Sequence, residues 1–319
     1  RRKEIGLTPM YLLLSSLLTI MFLVGYTLIQ YNYTSKRIET YVSETDKASL
    51  GQISERLNTE IKAVRQHMKA FLNSSDIRNL LEKQQNPQIS DFERITLLQE
   101  ISLYLSRVSN VFFDISRIDL VTPSWIFSSD DTVKQNMQIF YSDLDSSQIM
   151  TYLDQSPSGI VFFPEGIIPN QFGQETCFIG KMSISDNQPV YVVFRMRGQW
   201  LNDLMRTDKA SLFLYNQDGF FFPQISEKLR TVVDGRLEYT NGSFFGINKD
   251  ERYSISYLTL DEADFILVSA QNTTKLFSPL DKMRLYTVIA VLVSVAFSIT
   301  FSTFFIRRKL NDLQRLKQS

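Results

Sequence analysis

The sequence predicts an α+β protein in which a long N-terminal stalk helix leads into two tandem antiparallel-sheet modules, with a transmembrane helix at either end. Three observations predict it. Two long uncharged stretches bracket the chain, nearly fifty residues after the first carry apolar residues at helical spacing, and the remainder alternates at strand spacing in an order of elements that occurs twice.

The uncharged stretches come first. Leu7 to Tyr31 holds no charge in 25 residues and Tyr286 to Ile306 none in 21. At about 1.5 Å of rise per residue, either crosses a hydrocarbon core roughly 30 Å thick. The first is too long for the apolar core of a secretory signal, and TLIQYNYTSKRIE offers no small-x-small cleavage site, so it reads as an anchor. The formal charge is zero, from 34 basic and 34 acidic residues, but it is unevenly spread. Residues 1–6 carry net +2 and residues 307–319 net +4, leaving 26 basic against 32 acidic residues between them. Because basic flanks stay in the cytoplasm, both termini are expected there, with residues 32–285 extracytoplasmic on a bacterial cell membrane. The single cysteine, Cys177, excludes an intrachain disulfide and reads as a small buried apolar residue.

The expected organisation is a cytoplasmic N-terminus at 1–6, a transmembrane helix at 7–31, a stalk helix at 32–85, a first module at 86–205 and a second at 206–283. A transmembrane helix at 284–306 and a cytoplasmic linker at 307–319 follow, the linker leading to an output domain beyond this chain. Along the stalk, Leu50, Ile53, Leu57, Ile61, Val64, Met68 and Phe71 step by three or four and form one apolar stripe. The stripe is narrow enough to be the seam of a homodimer, and it also suits packing on the chain's own modules. A second helix, ERITLLQEISLYLSRVSNV, places Ile95, Leu98, Ile101, Leu105 and Val108 on one side.

Beyond it the period falls to two. FDISRIDL turns at Thr122-Pro123-Ser124 and returns as WIFSS; a helix over DSSQIMTYLDQS follows, then the strands SGIVFFPEG, ETCFIGKMSIS and QPVYVVFRMRG. The order then restarts. SLFLYNQDGFFFP is a hairpin turning at residues 216–219, SEKLRTVVDG follows, and GSFFGINKD, ERYSISYLTLDEA and DFILVSAQNT complete a smaller second copy.

Catalytic chemistry has little to stand on. With one histidine, His67, on the stalk and one cysteine 110 residues away, neither a Cys-His pair nor a Ser-His-Asp triad is expected, and His67 has no companions at metal-ligand spacing. No P-loop or GxGxxG is present. The expectation is no enzyme within this chain, no cofactor, no metal and no nucleic-acid partner.

The long helix leaving a first span, the two PAS-like copies and the second span shortly after YSISYLTLDEADFILVSAQNTTKLF together resemble the double Cache sensor regions of bacterial receptors, over roughly residues 32–306. The helical lead ASLGQISERLNTEIKAVRQHMKAFLNSSDIRNLL looks like the entry to the sensors of YesM-type histidine kinases and membrane-bound AraC-type regulators. The resemblance implies a small-molecule ligand, or a solute-binding protein loaded with one, held by the membrane-distal copy near residues 110–200. It also implies a signal passed through the second span to a two-component kinase or a transcription-factor output. The Arg-x-Trp of the amino-acid-binding pattern is absent around Tyr141 and Asp143, and RRKLNDLQRLKQS lacks the early proline of a HAMP linker. The alternative of another class is a membrane-anchored adaptor or structural protein.

Within the first module the candidate ligand-binding residues are Trp125, Tyr141, Phe163, Tyr191, Arg195 and Arg197. Alternation along VYVVFRMRG places Val190, Val192, Phe194 and Met196 on one face and Tyr191, Val193, Arg195 and Arg197 on the other. Two arginines beside a tyrosine suit an anionic or sugar ligand; the alternative is that they face solvent or bind the stalk. Trp125 reads either as core or as a stacking platform.

Overall fold

The computed structural model describes residues 7–86, 88–130, 134–135, 148–167, 175–184, 189–207, 210–216, 218–237, 240–249 and 251–318. Helix α1 runs unbroken from Leu7–Leu72, and its Pro9 sits in the first turn, where a missing N–H costs nothing. The sequence reads as one stalk helix through residue 85, but the structure ends it at Leu72. Asn73 and Ser74 close the last turn with hydrogen bonds to the Lys69 and Phe71 carbonyls, and α2 (Ser75–Gln85) starts after an extended Ser74. The run Asn73-Ser74-Ser75-Asp76 explains the break, since these short polar side chains compete with the helical ladder and favour helix starts. Helix α3 (Asp91–Val111) opens on a full capping box, in which Ser90 and Glu93 satisfy each other's backbone N–H groups.

The first sheet has six strands: β1 (Ile115–Val121), β2 (Trp125–Ser128), β3 (Lys134–Gln135), β4 (Ile160–Phe163), β5 (Cys177–Ser183) and β6 (Pro189–Met196). Their order is β3-β2-β1-β6-β5-β4 and the pairs are antiparallel. Helix α4 (Gln148–Gln155) precedes β4 and the short α5 (Trp200–Leu204) follows β6. The second sheet has five strands: β7 (Ser211–Tyr215), β8 (Phe221–Phe222), β9 (Gly242–Asn248), β10 (Glu251–Thr259) and β11 (Ile266–Asn272), in the order β8-β7-β11-β10-β9. Helix α6 (Glu227–Val233) lies between β8 and β9 in the chain, and α7 (Thr274–Gln318) ends it.

The chain divides into two compact units. The larger, Asp46–Ser243 with Ile255–Gln271, holds two buried cores. Leu57, Ile61 and Met68 of α1 are fully buried against the face of the first sheet that carries Ile118, Leu120, Val192 and Phe194. Gly180 on β5 is where stalk and sheet come closest. A Cβ there would lie 2.9 Å from Leu72 Cδ1 and 3.2 Å from Met68 Sδ, so the missing side chain sets the spacing. The other face of the same sheet buries a second, smaller core of Val121, Phe163, Ile179, Tyr191 and Val193 under Ile149 and Leu153 of α4. A sheet covered on both faces reads as continuous apolar runs, which is why VYVVF and CFIG break the strict alternation of a half-buried strand.

The smaller unit comprises 1–45, 244–254 and 272–319. Only Thr273 separates β11 from α7. Arg252 of β10 ties the start of that helix. Its backbone N–H donates to Thr274 Oγ1 at 2.8 Å, its carbonyl accepts from Thr273 N at 2.8 Å, and its guanidinium pairs with Asp281 at 3.1 Å while lying 4.9 Å from the centre of the Phe277 ring. Pro279 removes one rung of the α7 ladder a turn further on. Among the described residues, one helix is long and apolar enough to cross a membrane, the 28 residues Thr274–Phe301 of α7. The uncharged stretch 7–31 lies in α1, with Leu17, Met21 and Phe22 exposed, and the hydroxyls of Thr27 and Thr287 meet at 3.5 Å.

Candidate functional site

The face of the first sheet turned away from the stalk carries the polar chemistry of that module. On β1, Ile118 and Leu120 point to the stalk-side core, so Arg117 and Asp119 point the other way. On β6 the same alternation brings Tyr191 and Arg195 to that face. The register Arg117↔Arg195 and Cys177↔Arg195 aligns the three strands. Asp119 is buried, and its Oδ2 accepts from two arginines, Arg195 Nε at 2.7 Å and Arg117 Nε at 3.2 Å, with Arg117 Nε also 3.0 Å from Oδ1. Glu175 stands 3.8 Å from Arg195, and Asp130 3.6 Å from Arg117. The buried Asp119–Arg195 pair joins β1 to β6, and removing one partner strands a charge in the interior.

Cys177 sits beside this cluster with no exposed surface. Burial pushes its thiol up to about 12, against the pull of the Arg195 guanidinium and with a smaller push from Glu175 and Asp119. The thiol is therefore held protonated, a poor nucleophile at neutral pH.

Helix α4 covers the same face. Tyr191, fully buried, donates its hydroxyl to Met150 Sδ at 2.8 Å, and Phe163 meets Tyr152 edge-on with ring centroids 5.9 Å apart. Tyr152 then reaches past the sheet, its hydroxyl donating to the Asp218 carboxylate in the turn after β7. That turn is closed by Asn216, whose Oδ1 accepts from Phe220 N at 2.9 Å and whose Nδ2 donates to Asp218 at 3.2 Å. Gly219 takes φ +77° there, a left-handed backbone that glycine adopts freely.

Between α4, β4, this turn and the β10–β11 loop lies a cleft of about 650 Å³. Arg65 of α1 reaches its floor, and Arg65 and Asn58 fasten the loop by bonds of 3.2 and 3.1 Å to Glu262.

The residues proposed from the sequence separate on this geometry. Tyr191, Arg195 and Phe163 share the α4-covered face, with Arg195 engaged by Asp119 and Glu175. Trp125 packs against the stalk-side core, on the opposite face. Arg197 follows the end of β6; its N–H donates to Asp114 O at 2.9 Å and its exposed guanidinium stacks 4.5 Å from the Phe113 ring centre, so strand alternation does not extend to it. Tyr141 lies outside the described residues. His67 on α1 packs against Phe112, centroids 4.2 Å apart. Sequence reasoning missed Asp119, Arg117 and Met150. The first two were recoverable from ISRIDLV, where Ile118 and Leu120 facing one core leave the alternate positions Arg117 and Asp119 to the other face.

No family model and no curated protein matches the sequence. Solved structures do match. The extracellular domain of rpHK1S-Z16, named as a histidine kinase, superposes with a TM-score of 0.50 at 11% identity, over 76% of this chain and 99% of that one. The chain shares its fold with that domain. The ligand-binding domain of the Campylobacter jejuni chemoreceptor Tlp3, in complex with L-norvaline, gives 0.48 at 10% identity over 74% and 93%. That of the Pseudomonas fluorescens chemoreceptor CtaA, in complex with L-alanine, gives 0.46 at 11% over 75% and 99%.

Proposed function

We propose that this chain is the extracytoplasmic ligand-sensing and transmembrane-signalling region of a bacterial receptor. In this reading a small molecule, presented free or by a solute-binding protein, acts on the α4-covered face of the first sheet. The observation that carries it is the continuous line from α4 to the exit helix. Helix α4 rests on Tyr191 and grips Asp218 through Tyr152; the Asp218 turn follows β7; β7 pairs with β11 from Ile266↔Tyr215 to Ala270↔Ser211; and β11 runs into α7 after one residue. A ligand that favours one position of α4 biases the second sheet, and through chain continuity the helix holding the apolar 28 residues.

The reading includes two membrane crossings, 7–31 and 284–306, with 32–285 outside and both ends in the cytoplasm. It includes a homodimer in the membrane, and an output that is a histidine kinase or, as the alternative, an AraC-type regulator. We assign no enzymatic role to residues 1–319.

The test uses the full chain in lipid nanodiscs, with spin labels at residues 27 and 287. A small-metabolite panel is screened by thermal unfolding, and a compound that raises Tm should also change the label distances. Tyr152→Phe should keep the Tm shift and lose the distance change. A stabilising compound that leaves the labels unmoved in the wild-type chain sinks the signalling reading and supports the membrane-anchored adaptor. A reporter fused after Ser319 that works only outside the cytoplasm sinks the topology.

A further inference from the structure

The cleft between α4 and the turn after β7 borders the covered face at Phe163 and Val161, but it opens outside that core and has a polar lining of its own. Its volume of about 650 Å³ falls within the roughly 300–1,000 Å³ usual for small-molecule sites. One wall, from α4, brings the hydroxyl of Thr151 and the amide of Gln155, both on exposed positions. The opposite wall brings Asn216, Asp218 and Asp264. Between them lie the apolar surfaces of Val161, Phe163, Ile167 and Phe265.

Three features narrow the ligand. A carboxamide donates and accepts, a hydroxyl does both, and a carboxylate accepts, so the walls suit a ligand whose groups do both as well, and a hydroxyl is that group. The charges disfavour an anion, which would meet Asp218 and Asp264 while the guanidinium of Arg65 is already paired with Glu262. The apolar strip fits the C–H face of a ring. We propose that this cleft is a binding site for a polyhydroxylated ring compound, a saccharide or cyclitol, held between Gln155 on one side and the Asp218 carboxylate on the other.

Such a ligand spans the two sheet modules at the point where Tyr152 already joins them, so occupancy holds α4 to the second sheet. The site stands whether or not the α4-covered face takes a ligand.

The test is calorimetry and thermal unfolding of the full chain in nanodiscs with glucose, maltose and myo-inositol as probes. At least one should bind and raise Tm. Gln155→Ala, at an exposed position, should weaken that binding at least tenfold with the Tm of the unliganded protein unchanged, and Thr151→Trp, which fills the cleft, should abolish it. If Thr151→Trp fails to fold, Gln155→Ala alone decides. The proposal is overturned if none of the three probes binds, or if affinity survives in Gln155→Ala. Loss of binding in Tyr191→Ala with retention in Thr151→Trp also overturns it, by placing the sugar under α4.

Discussion

The two sheets share a hairpin-first order of elements, yet they are built for different tasks. In the first, β6 is buried at seven of its eight positions and β5 at five of seven, because α1 covers one face and α4 the other. In the second, β10 is buried only at its central three positions and β9 only at Gly246. A strand buried on both faces cannot shift without disturbing two cores, whereas a half-exposed one opens at lower cost. On the proposed signalling reading, the piece free to shift in the first module is α4, which lies over the sheet, and in the second it is the sheet margin, held by local fastenings such as Arg252. Changes that weaken each part should separate the two behaviours.

The largest effect is expected at Asp119. Asp119→Ala leaves Arg195 buried beside one distant carboxylate, and loss of one partner of a buried pair costs about 3–5 kcal/mol. Urea unfolding should show that loss, with the first module unfolding first. A cost near that of an exposed ion pair would mean that the face is wet, and the proposed contrast between the sheets would fail.

Cys177 reports on the same face through pH. Its folded-state pKa, pushed up to about 12, lies above the ordinary thiol value of about 8.5, so the folded state keeps a proton that the unfolded chain gives up. The resulting stability is fully present below about pH 8.5 and is lost as pH rises toward about 12, at about 1.4 kcal/mol per unit, or roughly 2 kcal/mol by pH 10. Cys177→Ala should flatten that stretch of the stability–pH curve. An equally steep curve in the variant would assign the slope to other groups.

Much of this was legible in the sequence, and the residues show why. The helical period of Leu57, Ile61, Val64 and Met68 and the period of two in Ile118 and Leu120 come from the geometry of helix and strand, so they survive without knowledge of the partner. The turn at residues 216–219 announced itself by Asn and Gly. What the sequence hid was the partnering of charges. That Arg195 meets Asp119, 76 residues away, depends on the β1–β6 register, which no local pattern carries. Arg197 continued the alternation on paper, but the strand ends one residue earlier. The cleft was equally hidden, since its walls come from four segments far apart in the chain.

A third change tests the close approach of stalk and sheet. Gly180→Ala sets a methyl 2.9 Å from Leu72 Cδ1; both neighbours are flexible side-chain ends, so the cost should be about 1–2 kcal/mol, at the mild end of overpacking. In a double-mutant cycle with Leu72→Ala the two costs should not add, because the shortened side chain makes room. Strict additivity would mean that the strain lies in the β5 backbone and not in its contact with α1.

The smallest thermodynamic effect is expected at Arg252, which ties the start of α7. Its pair with Asp281 is partly exposed and its contact with Phe277 adds a ring interaction, so Arg252→Ala should lower global stability by no more than about 1 kcal/mol. Locally the change is larger in kind. Thr273 N–H still finds the residue 252 carbonyl, and Thr274 Oγ1 still accepts from the residue 252 amide, but nothing then clamps the first turns of α7 from the side-chain direction. Amide exchange at Thr273 and Leu276 should therefore quicken about fivefold, while amides in β5 and β6 keep their wild-type protection. That pattern is expected if the second sheet delivers its movement through a local fastening. Uniform quickening across both sheets would show one cooperative block, in which no part of the exit can move without the whole of the first module moving too.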